Sequence, residues 1–305
     1  MAGHPLFWLD VFTGTPLAGN PLAVVLEADG ITDESMLAFA REVGLSETTF
    51  VQTADESSGA ASREGANGEG ANGEGADYRN RIWTISEEIP FAGHPSLGTA
   101  VAVAISRGVE KANFVQQTQV GLQPVDVEAV GGSDARIWNA TMLQEPARFQ
   151  ETFPAARVAP ALGLEVDQIG PHLTSQMVST GLPTLLVPIA SREALSACRP
   201  DFNKLRSLDE NHALNLYAFH FDVAPRHVYA RCFAADMGDI EDPATGSAAG
   251  PLVAYLQDCL DVDRITIDQG VEMGRPSRIE ARMESGRPRI SGEVSLVSRG
   301  EVHLP

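Results

Sequence analysis

Short apolar runs alternate with stretches of helical spacing from the start of the chain. The segments 7–12 and 21–26 are rich in Val, Leu and Phe, which predicts two strands that can form a hairpin. The apolar positions that follow recur at helical spacing. Thr32 or Asp33 can cap this helix, and Gly44 stands where a left-handed residue is expected to end it.

Two passages share one order of elements: a strand-like run, a loop with a proline near its start and a glycine followed by His or Ser, and an apolar helix. They cover 81–105 and 228–256, and Gly108 ends the first helix. A helix that is apolar on all sides is buried at the centre of a domain. We therefore predict an α/β (α+β) fold of two pseudo-symmetric domains, each a curled mixed sheet around a central helix.

The predicted domain boundary lies at 118/119. The N-terminal half comprises 1–118 and a C-terminal strand at about 290–305, and the C-terminal half comprises 119–289. Near this boundary, 113–128 and 135–143 have strand-like patterns. A connection that contains proline follows at 144–157.

The stretch 54–77 differs in composition from the rest of the chain. From Glu64 to Asp77 it repeats the pentad Glu-Gly-Ala-Asn-Gly, which cannot bury apolar area, so we expect a flexible surface insertion. A G-x-G-x-x-G match occurs at Gly68, Gly70 and Gly73. We reject it as a dinucleotide site because no strand precedes it and no helix follows it.

Composition and charge narrow the function. The 305 residues include 43% hydrophobic and 21% charged side chains, which is typical of a globular protein. The formal charge of −19 opposes binding to nucleic acid or to an anionic membrane. The longest uncharged run, 89–106, contains a histidine and two prolines and is not a membrane span, and the N-terminus shows no signal peptide, so we expect a cytoplasmic protein.

Lys111 and Lys204 are the only lysines among the 22 basic side chains. An acidic surface poor in lysine suits a salt-rich cytoplasm. A GC-rich genome would produce the same bias through arginine codons, and the sequence does not separate the two explanations.

The sequence contains no pattern for a metal, a cofactor or a disulfide. Cys198, Cys232 and Cys259 are widely spaced and odd in number, so we expect reduced, buried thiols. H-E-x-x-H, P-loop and G-x-S-x-G motifs are absent, which disfavours hydrolysis and phosphoryl transfer. We therefore expect chemistry without cofactor or metal.

The starts of the two central helices are candidate anion sites, because small residues there let a ligand reach the backbone amides. A small carboxylate-bearing substrate fits such a site. Glu47, His94 and Asp242 head the candidates for acid–base work. Glu47 stands within a β-prone run, 45–51, where burial would raise its pKa. The structural alternatives are an exposed edge or salt bridge for Glu47, a helix cap for His94 and a turn or cap for Asp242.

Five motifs carry a resemblance that spans nearly the whole chain. Together they resemble the PhzF family of phenazine biosynthesis. They are the passage Asp10-Val-Phe-Thr…Pro16-Leu-Ala-Gly19-Asn20-Pro21, the run Leu45-Ser46-Glu47-Thr48-Thr49-Phe50, the segment Pro90 to Thr99, the segment Glu241 to Ala248, and the segment Gln269 to Ser277.

The resemblance implies the diaminopimelate-epimerase-like fold, an active site in the interdomain cleft, and a homodimer. It implies that Glu47 is the proton shuttle of an isomerase, which removes a proton from one carbon and returns it to another. His94 and Asp242 match residues that bind substrate and assist the transfer. The matching positions for the substrate's polar groups are Asn20, Ser46, Gly93, Gly246 and Ser247.

Racemases and epimerases of the implied fold use two cysteines, one before each central helix. The corresponding places here hold Ala92 and Pro243, which favours one-base transfer by Glu47. The function hypothesis is thus a cofactor-independent isomerase. An epimerase or dehydratase of the same fold, and a catalytically idle binding protein, stay open as alternatives, and the sequence does not identify the metabolite.

Overall fold

The computed structural model describes residues 3–55, 75–132, 135–208, 215–235 and 239–305. Most of the predicted insertion at 54–77, including the repeat up to residue 74, lies outside the described residues. The chain forms two compact units. Unit 1 is Met1–Leu143 with Gly292–Pro305, and unit 2 is Gln144–Ser291.

The described chain contains the following elements. The strands are β1 Gly3–Val11, β2 Asn20–Val25, β3 Thr48–Gln52, β4 Tyr78–Trp83, β5 Glu88–Ile89, β6 Lys111–Thr118, β7 Gly121–Val130, β8 Ile137–Leu143, β9 Arg148–Phe153, β10 Ser175–Ser179, β11 Pro183–Pro188, β12 Asn215–Asp222, β13 His227–Ala234, β14 Ile240–Asp242, β15 Arg264–Gln269, β16 Ser277–Glu284 and β17 Arg287–His303. The α-helices are α1 Asp33–Val43, α2 Gly93–Arg107, α3 Ala155–Leu162, α4 Arg192–Ala197, α5 Phe202–Arg206 and α6 Gly246–Leu260. None of the helices in this described part has the length and apolar character of a membrane span.

Unit 1 is a ring of strands around one helix. Its order is β17, β1, β2, β3, β4, β6, β7 and β8, and β8 pairs again with β17. The pairs β2–β3 and β4–β6 are parallel, and the intervening pairs with printed registers are antiparallel. Helix α2 packs against seven of these strands, and its residues from Gly93 to Ala104 are all buried. The enclosure explains why this helix is apolar on every side.

The paired strands of unit 2 follow the same sequence of parallel and antiparallel pairings as those of unit 1. From β10 to β16 the pairs are antiparallel, parallel, antiparallel, parallel and antiparallel, as they are from β1 to β7. Its long helix α6 lies between β14 and β15, as α2 lies between β5 and β6, and both helices have 15 residues. The predicted mixed fold, with a curled sheet around a central helix in each half, is confirmed.

Local sequence signals locate helix α1 accurately. Thr32 accepts a hydrogen bond from the Ser35 amide at the N-terminus, and Gly44 ends the helix with a φ of 67°. Both residues have the roles that the sequence predicts. The predicted strands at 7–12 and 21–26 are present as β1 and β2, which pair antiparallel.

The structure corrects three local predictions. The central helices begin at Gly93 and Gly246, several residues before the apolar runs, because the first turn of a helix tolerates Pro95 and small polar residues. The segment 113–128 is not one strand but the hairpin β6–β7. The predicted connection at 144–157 contains a strand, β9, whose residues are exposed except the last.

The unit boundary also differs from the prediction. It falls at Leu143/Gln144 rather than at 118/119, because β7 pairs with β6 on one side and with β8 on the other. Cys259 is exposed near the end of α6, whereas Cys198 and Cys232 are buried as expected. Cys259 lies in the last turn of its helix, beyond the enclosed part.

Gly19, in the loop between β1 and β2, generates a test of this architecture. Its φ is 66°, and an added Cβ would lie 2.4 Å from the carbonyl oxygen of Val11. Gly108 has the same φ but nothing within 4 Å of its added Cβ. Gly108→Ala should cost about 1 kcal/mol of unfolding free energy through backbone strain, and Gly19→Ala at least about 2 kcal/mol more through the clash. Urea unfolding measures both values, and equal losses would contradict the close approach of Gly19 to the Val11 carbonyl.

Candidate active site

The N-terminus of helix α2 lies in the interior of unit 1 without a side-chain cap. Its N-cap residue, Ala92, has no side-chain hydrogen bond to the helix, and the first turn contains no acidic residue. The positive end of the helix dipole is therefore not compensated by its own first turn. Gly93, the first helical residue, lets other groups come close to the backbone.

Glu47 and His94 meet at this helix start. Glu47 immediately precedes β3, and a 2.8 Å hydrogen bond between the hydroxyls of Thr49 and Thr99 ties that strand to α2. Nε2 of His94 lies 3.7 Å from Oε2 of Glu47. Glu47 is 6% exposed and His94 is 4% exposed. The exposed-edge alternative for Glu47 is therefore excluded.

Asn20 completes the cluster from a second direction. It is the first residue of β2 and is fully buried, and its Nδ2 lies 3.2 Å from Nδ1 of His94. One ring nitrogen of His94 thus contacts an amide while the other faces a carboxylate. Ser46 is half-buried next to Glu47. The structure therefore brings the predicted residues Asn20, Glu47, Gly93 and His94 together in one unit, with Ser46 adjacent in the chain.

The imidazole of His94 is held neutral. Burial lowers its pKa from 6.5 to about 3, against an opposing effect of a backbone hydrogen bond with Pro21. A neutral ring has one donor nitrogen and one acceptor nitrogen. At neutral pH, His94 can therefore orient a carboxylate or a substrate group without adding charge.

Asp10 is a residue of this region that sequence reasoning did not select. It lies in β1 with 1% exposure, and its Oδ2 accepts a 2.6 Å hydrogen bond from the Leu17 amide. This bond holds the loop between β1 and β2, which delivers Asn20 to the cluster. A single acid in an apolar strand was the available signal, because a buried carboxylate requires partners.

Unit 2 presents a second helix start. Thr245 is the N-cap of α6 but makes no side-chain hydrogen bond to the helix, and no acidic residue occupies the first turn. Its Oγ1 lies 2.5 Å from Oδ2 of Asp242, the last residue of β14. Thr245 is thus the counterpart of Ala92, and the sequence-based assignment of this position to Pro243 was wrong, because the helix begins at Gly246.

The remaining predicted residues of unit 2 lie at the same helix start. The Gly246 carbonyl accepts a 2.9 Å hydrogen bond from Nε2 of Gln144, and Ser247 is half-buried in the first turn. An added Cβ at Gly250 would lie 1.8 Å from Oε1 of Gln144. The glycine at this position therefore leaves the space in which the Gln144 side chain reaches the helix. Sequence reasoning missed Gln144, whose partner is more than 100 residues away in the chain.

Each unit also contains an ion pair between a buried arginine and a half-buried glutamate in front of its central helix. Arg81 contacts both carboxylate oxygens of Glu88 at 2.8 and 2.6 Å, and Arg231 contacts both of Glu241 at 2.8 Å. The two glutamates stand at the same distance in sequence from Gly93 and Gly246. Such bidentate pairs fix the strands from which the helices begin.

These pairs align the two halves residue by residue. Asp242 corresponds to Ile89, Thr245 to Ala92 and Ser247 to His94. The two helix starts share a backbone design but carry different reactive side chains. No group of three or more metal-ligating side chains that could hold a metal ion occurs among the described residues.

The family model described as phenazine biosynthesis-like protein, PhzC-PhzF, matches residues 9–300. The chain belongs to this family. It is 36% identical to trans-2,3-dihydro-3-hydroxyanthranilate isomerase of Pseudomonas aeruginosa, over 96% of this chain and 95% of the relative. The enzyme of the same name from Pseudomonas chlororaphis is 33% identical, over 99% of this chain and 100% of the relative. The predicted PhzF resemblance and the isomerase class are confirmed.

Solved structures agree with this membership. A PhzF-family protein of Bacillus anthracis has a TM-score of 0.80 at 27% identity and covers 99% of this chain and 100% of its own. A predicted epimerase of P. aeruginosa has a TM-score of 0.78 at 31% identity, over 98% and 99% of the two chains. A probable proline racemase of Agrobacterium radiobacter, at 11% identity and a TM-score of 0.66, shares the fold.

The buried His94 generates a pH-dependence prediction. The unfolded chain binds the imidazole proton near pH 6.5, whereas the folded chain binds it only near pH 3. Wild type should therefore lose stability relative to His94→Gln as pH falls through this window, by about 1.4 kcal/mol per pH unit. Urea unfolding at several values between pH 7 and pH 4 measures the difference.

The matched control is His303→Gln, since His303 is 61% exposed at the side chain. This variant should parallel wild type at every pH. If His94→Gln also runs parallel to wild type, the imidazole is not held neutral in the folded protein.

Proposed function

We propose that Glu47 is the single acid–base group of a cofactor-independent isomerase. It accepts a proton from one carbon of a small carboxylate-bearing substrate and returns that proton to another carbon. The observation that carries the proposal is a carboxylate with 6% exposure placed 3.7 Å from a neutral imidazole at an uncapped helix start. A carboxylate shielded from water keeps the abstracted proton until it is returned.

The neighbours of Glu47 have distinct proposed roles. His94 orients the carboxylate through Nε2, and Asn20 fixes the imidazole ring through Nδ1. The Gly93 amide and the Ser46 hydroxyl bind polar groups of the substrate. These groups do not change charge during turnover, so their contribution is positioning and electrostatic stabilisation.

The residues of unit 2 are proposed to bind the same kind of substrate. The first-turn backbone of α6 at Gly246 and Ser247 is proposed to offer donors to an anionic oxygen, because the N-cap side chain makes no hydrogen bond to the helix and the first turn contains no acidic residue. Asp242 stands beside this helix start and is proposed to assist the transfer. The homodimer and the cytoplasmic location stay predictions.

For the substrate, the names of the relatives suggest a probe. The two Pseudomonas relatives are named for trans-2,3-dihydro-3-hydroxyanthranilate, a small molecule with a carboxylate, an amine and a hydroxyl. We propose that this chain accepts a substrate of that class. The probe therefore serves as the first compound to test.

An epimerase is the second candidate, because one similar structure is titled a predicted epimerase. Two-base epimerisation requires an acid–base side chain on each face of the carbon. The two N-cap positions hold Ala92 and Thr245, and neither side chain is an acid or base near neutral pH. One-base transfer by Glu47 fits this arrangement better.

Glu47→Gln tests the proposal directly. With trans-2,3-dihydro-3-hydroxyanthranilate in D₂O, wild type should convert the probe to an isomer whose new C–H bond carries the substrate's own hydrogen in a measurable fraction of molecules and solvent deuterium in the rest. Glu47→Gln should lower the turnover rate by a factor of about 10² to 10⁴, the usual contribution of general acid–base catalysis. The thermal melting temperature should change little. Mass spectrometry and NMR of the product measure both the rate and the position of the label.

Exposed Glu34→Gln is the control, and it should retain wild-type turnover. Full activity in Glu47→Gln would refute the assignment of the proton shuttle. Label that enters the original carbon with inversion would indicate the epimerase, and loss of water from the probe would indicate a dehydratase. A chain that binds the probe without any exchange would be an idle binding protein.

A further inference from the structure

A buried glutamine at the end of β15 organises the helix start of unit 2. Gln269 is fully buried, and its side-chain amide makes four hydrogen bonds. Oε1 accepts from the Thr245 amide at 3.1 Å and from the Tyr217 hydroxyl at 2.9 Å. Nε2 donates to the Asp242 carbonyl at 2.8 Å and to the Thr245 hydroxyl oxygen at 2.9 Å.

The backbone partners determine the orientation of this amide. A backbone N–H only donates and a backbone carbonyl only accepts, so the oxygen of Gln269 must face Thr245 N and its nitrogen must face Asp242 O. A flipped amide would break both bonds. The direction of every hydrogen bond that Gln269 makes is thereby fixed.

The fixed direction of the Gln269 hydrogen bonds also determines how Thr245 contacts the carboxylate of Asp242. Because the Thr245 oxygen accepts from Gln269, its hydroxyl proton is available for Oδ2 of Asp242, 2.5 Å away. Tyr217 enters the same chain as a donor, since burial raises its pKa well above its ordinary value. The chain of donors runs from Gln269 through Thr245 to Asp242.

We infer that Gln269 and Thr245 are positioning residues that deliver a hydroxyl proton to Asp242 and so present this side chain as an ionised hydrogen-bond acceptor beside the helix start. This inference rests on the proposed function in assigning Asp242 to substrate binding. The ligand recognised by such an acceptor is a hydroxyl or ammonium group of the substrate, not its carboxylate.

The rest of the fifth motif, Gln269 to Ser277, supports this arrangement. An added Cβ on Gly270 would lie 2.6 Å from the Pro243 carbonyl oxygen, so glycine permits the close approach of this loop to the residue after Asp242. Ser277 donates a 2.9 Å hydrogen bond to the same carbonyl. The motif therefore clamps the backbone on which Asp242 and Thr245 lie.

Unit 1 shows that the fold does not need this chain of donors. Helix α2 has the same length as α6 and begins after the same arginine–glutamate pair, yet its corresponding residues are Ile89 and Ala92. A carboxylate and a hydroxyl are thus unnecessary for starting such a helix. Their presence in unit 2 points to a role in binding or chemistry.

Three described strands place ionisable groups near Asp242. Tyr217 on β12 and Cys232 on β13 are buried, and Cys232 is directly opposite Asp242 in the antiparallel register. Glu241 on β14 is neutralised by its bidentate contact with Arg231. The Thr245 hydroxyl donates to Oδ2 of Asp242 at 2.5 Å, the short distance of a hydrogen bond to a charged acceptor.

The experiment compares Thr245→Ala with Thr245→Ser by ¹³C NMR of protein labelled at the aspartate carboxyl carbons. The Asp242 resonance is assigned by its loss in Asp242→Asn. Thr245→Ala should raise the pKa of Asp242 by about one pH unit, and Thr245→Ser should keep the wild-type value, because serine retains the hydroxyl. Thr245→Val, which retains the side-chain shape, serves as the second variant if alanine impairs folding.

Equal Asp242 titration in the alanine, valine and serine variants would overturn the inference. Turnover of trans-2,3-dihydro-3-hydroxyanthranilate provides the second readout, where Thr245→Ala should lower kcat about ten-fold or more and Thr245→Ser should restore it. If wild type fails to turn over this probe, the proposed substrate class fails while the titration still decides the role of Thr245.

Discussion

The structure depends on the enclosure of a helix within a ring of strands. A helix apolar on every side can exist in water only if other elements cover its whole circumference. In unit 1 the covering strands reach α2 from seven positions in the chain. Side chains along the helix must then be small or apolar, and polar chemistry is confined to the helix start, where backbone amides lack intrahelical partners.

This constraint explains where the reactive groups lie. Asn20 is the first residue of β2 and Glu47 immediately precedes β3. Both strands pack against α2, so their starts bring these residues to His94 in the first helical turn. Burial at this point has two consequences that work together. It keeps the imidazole neutral, and it limits the contact of the Glu47 carboxylate with water.

The two units show how one backbone design acquires different chemistry. The arginine–glutamate pairs and the helix lengths are the same in both, which preserves the frame around each helix start. The side chains at three corresponding positions differ, with Ile89, Ala92 and His94 in one unit and Asp242, Thr245 and Ser247 in the other. The two helix starts thus carry different side chains on the same frame.

The sequence predicted those features that depend on local signals. Caps and periodicity identified α1, and the two similar passages identified the duplicated halves. The start of α2 was not predicted, because glycine and proline, here Gly93 and Pro95, favour loops over helices in the absence of tertiary contacts. Asp10, Gln144 and Gln269 were not predicted as site residues, because their roles depend on partners brought close only by the folded sheet.

The most direct test of the central claim follows a single proton through the reaction. The probe trans-2,3-dihydro-3-hydroxyanthranilate, deuterated at the carbon that loses its proton, is converted in H₂O under single-turnover conditions. If buried Glu47 takes and returns the same hydrogen, a measurable fraction of the product should contain deuterium at the new carbon. Product whose hydrogen at that carbon comes entirely from water would contradict the account of one shielded carboxylate.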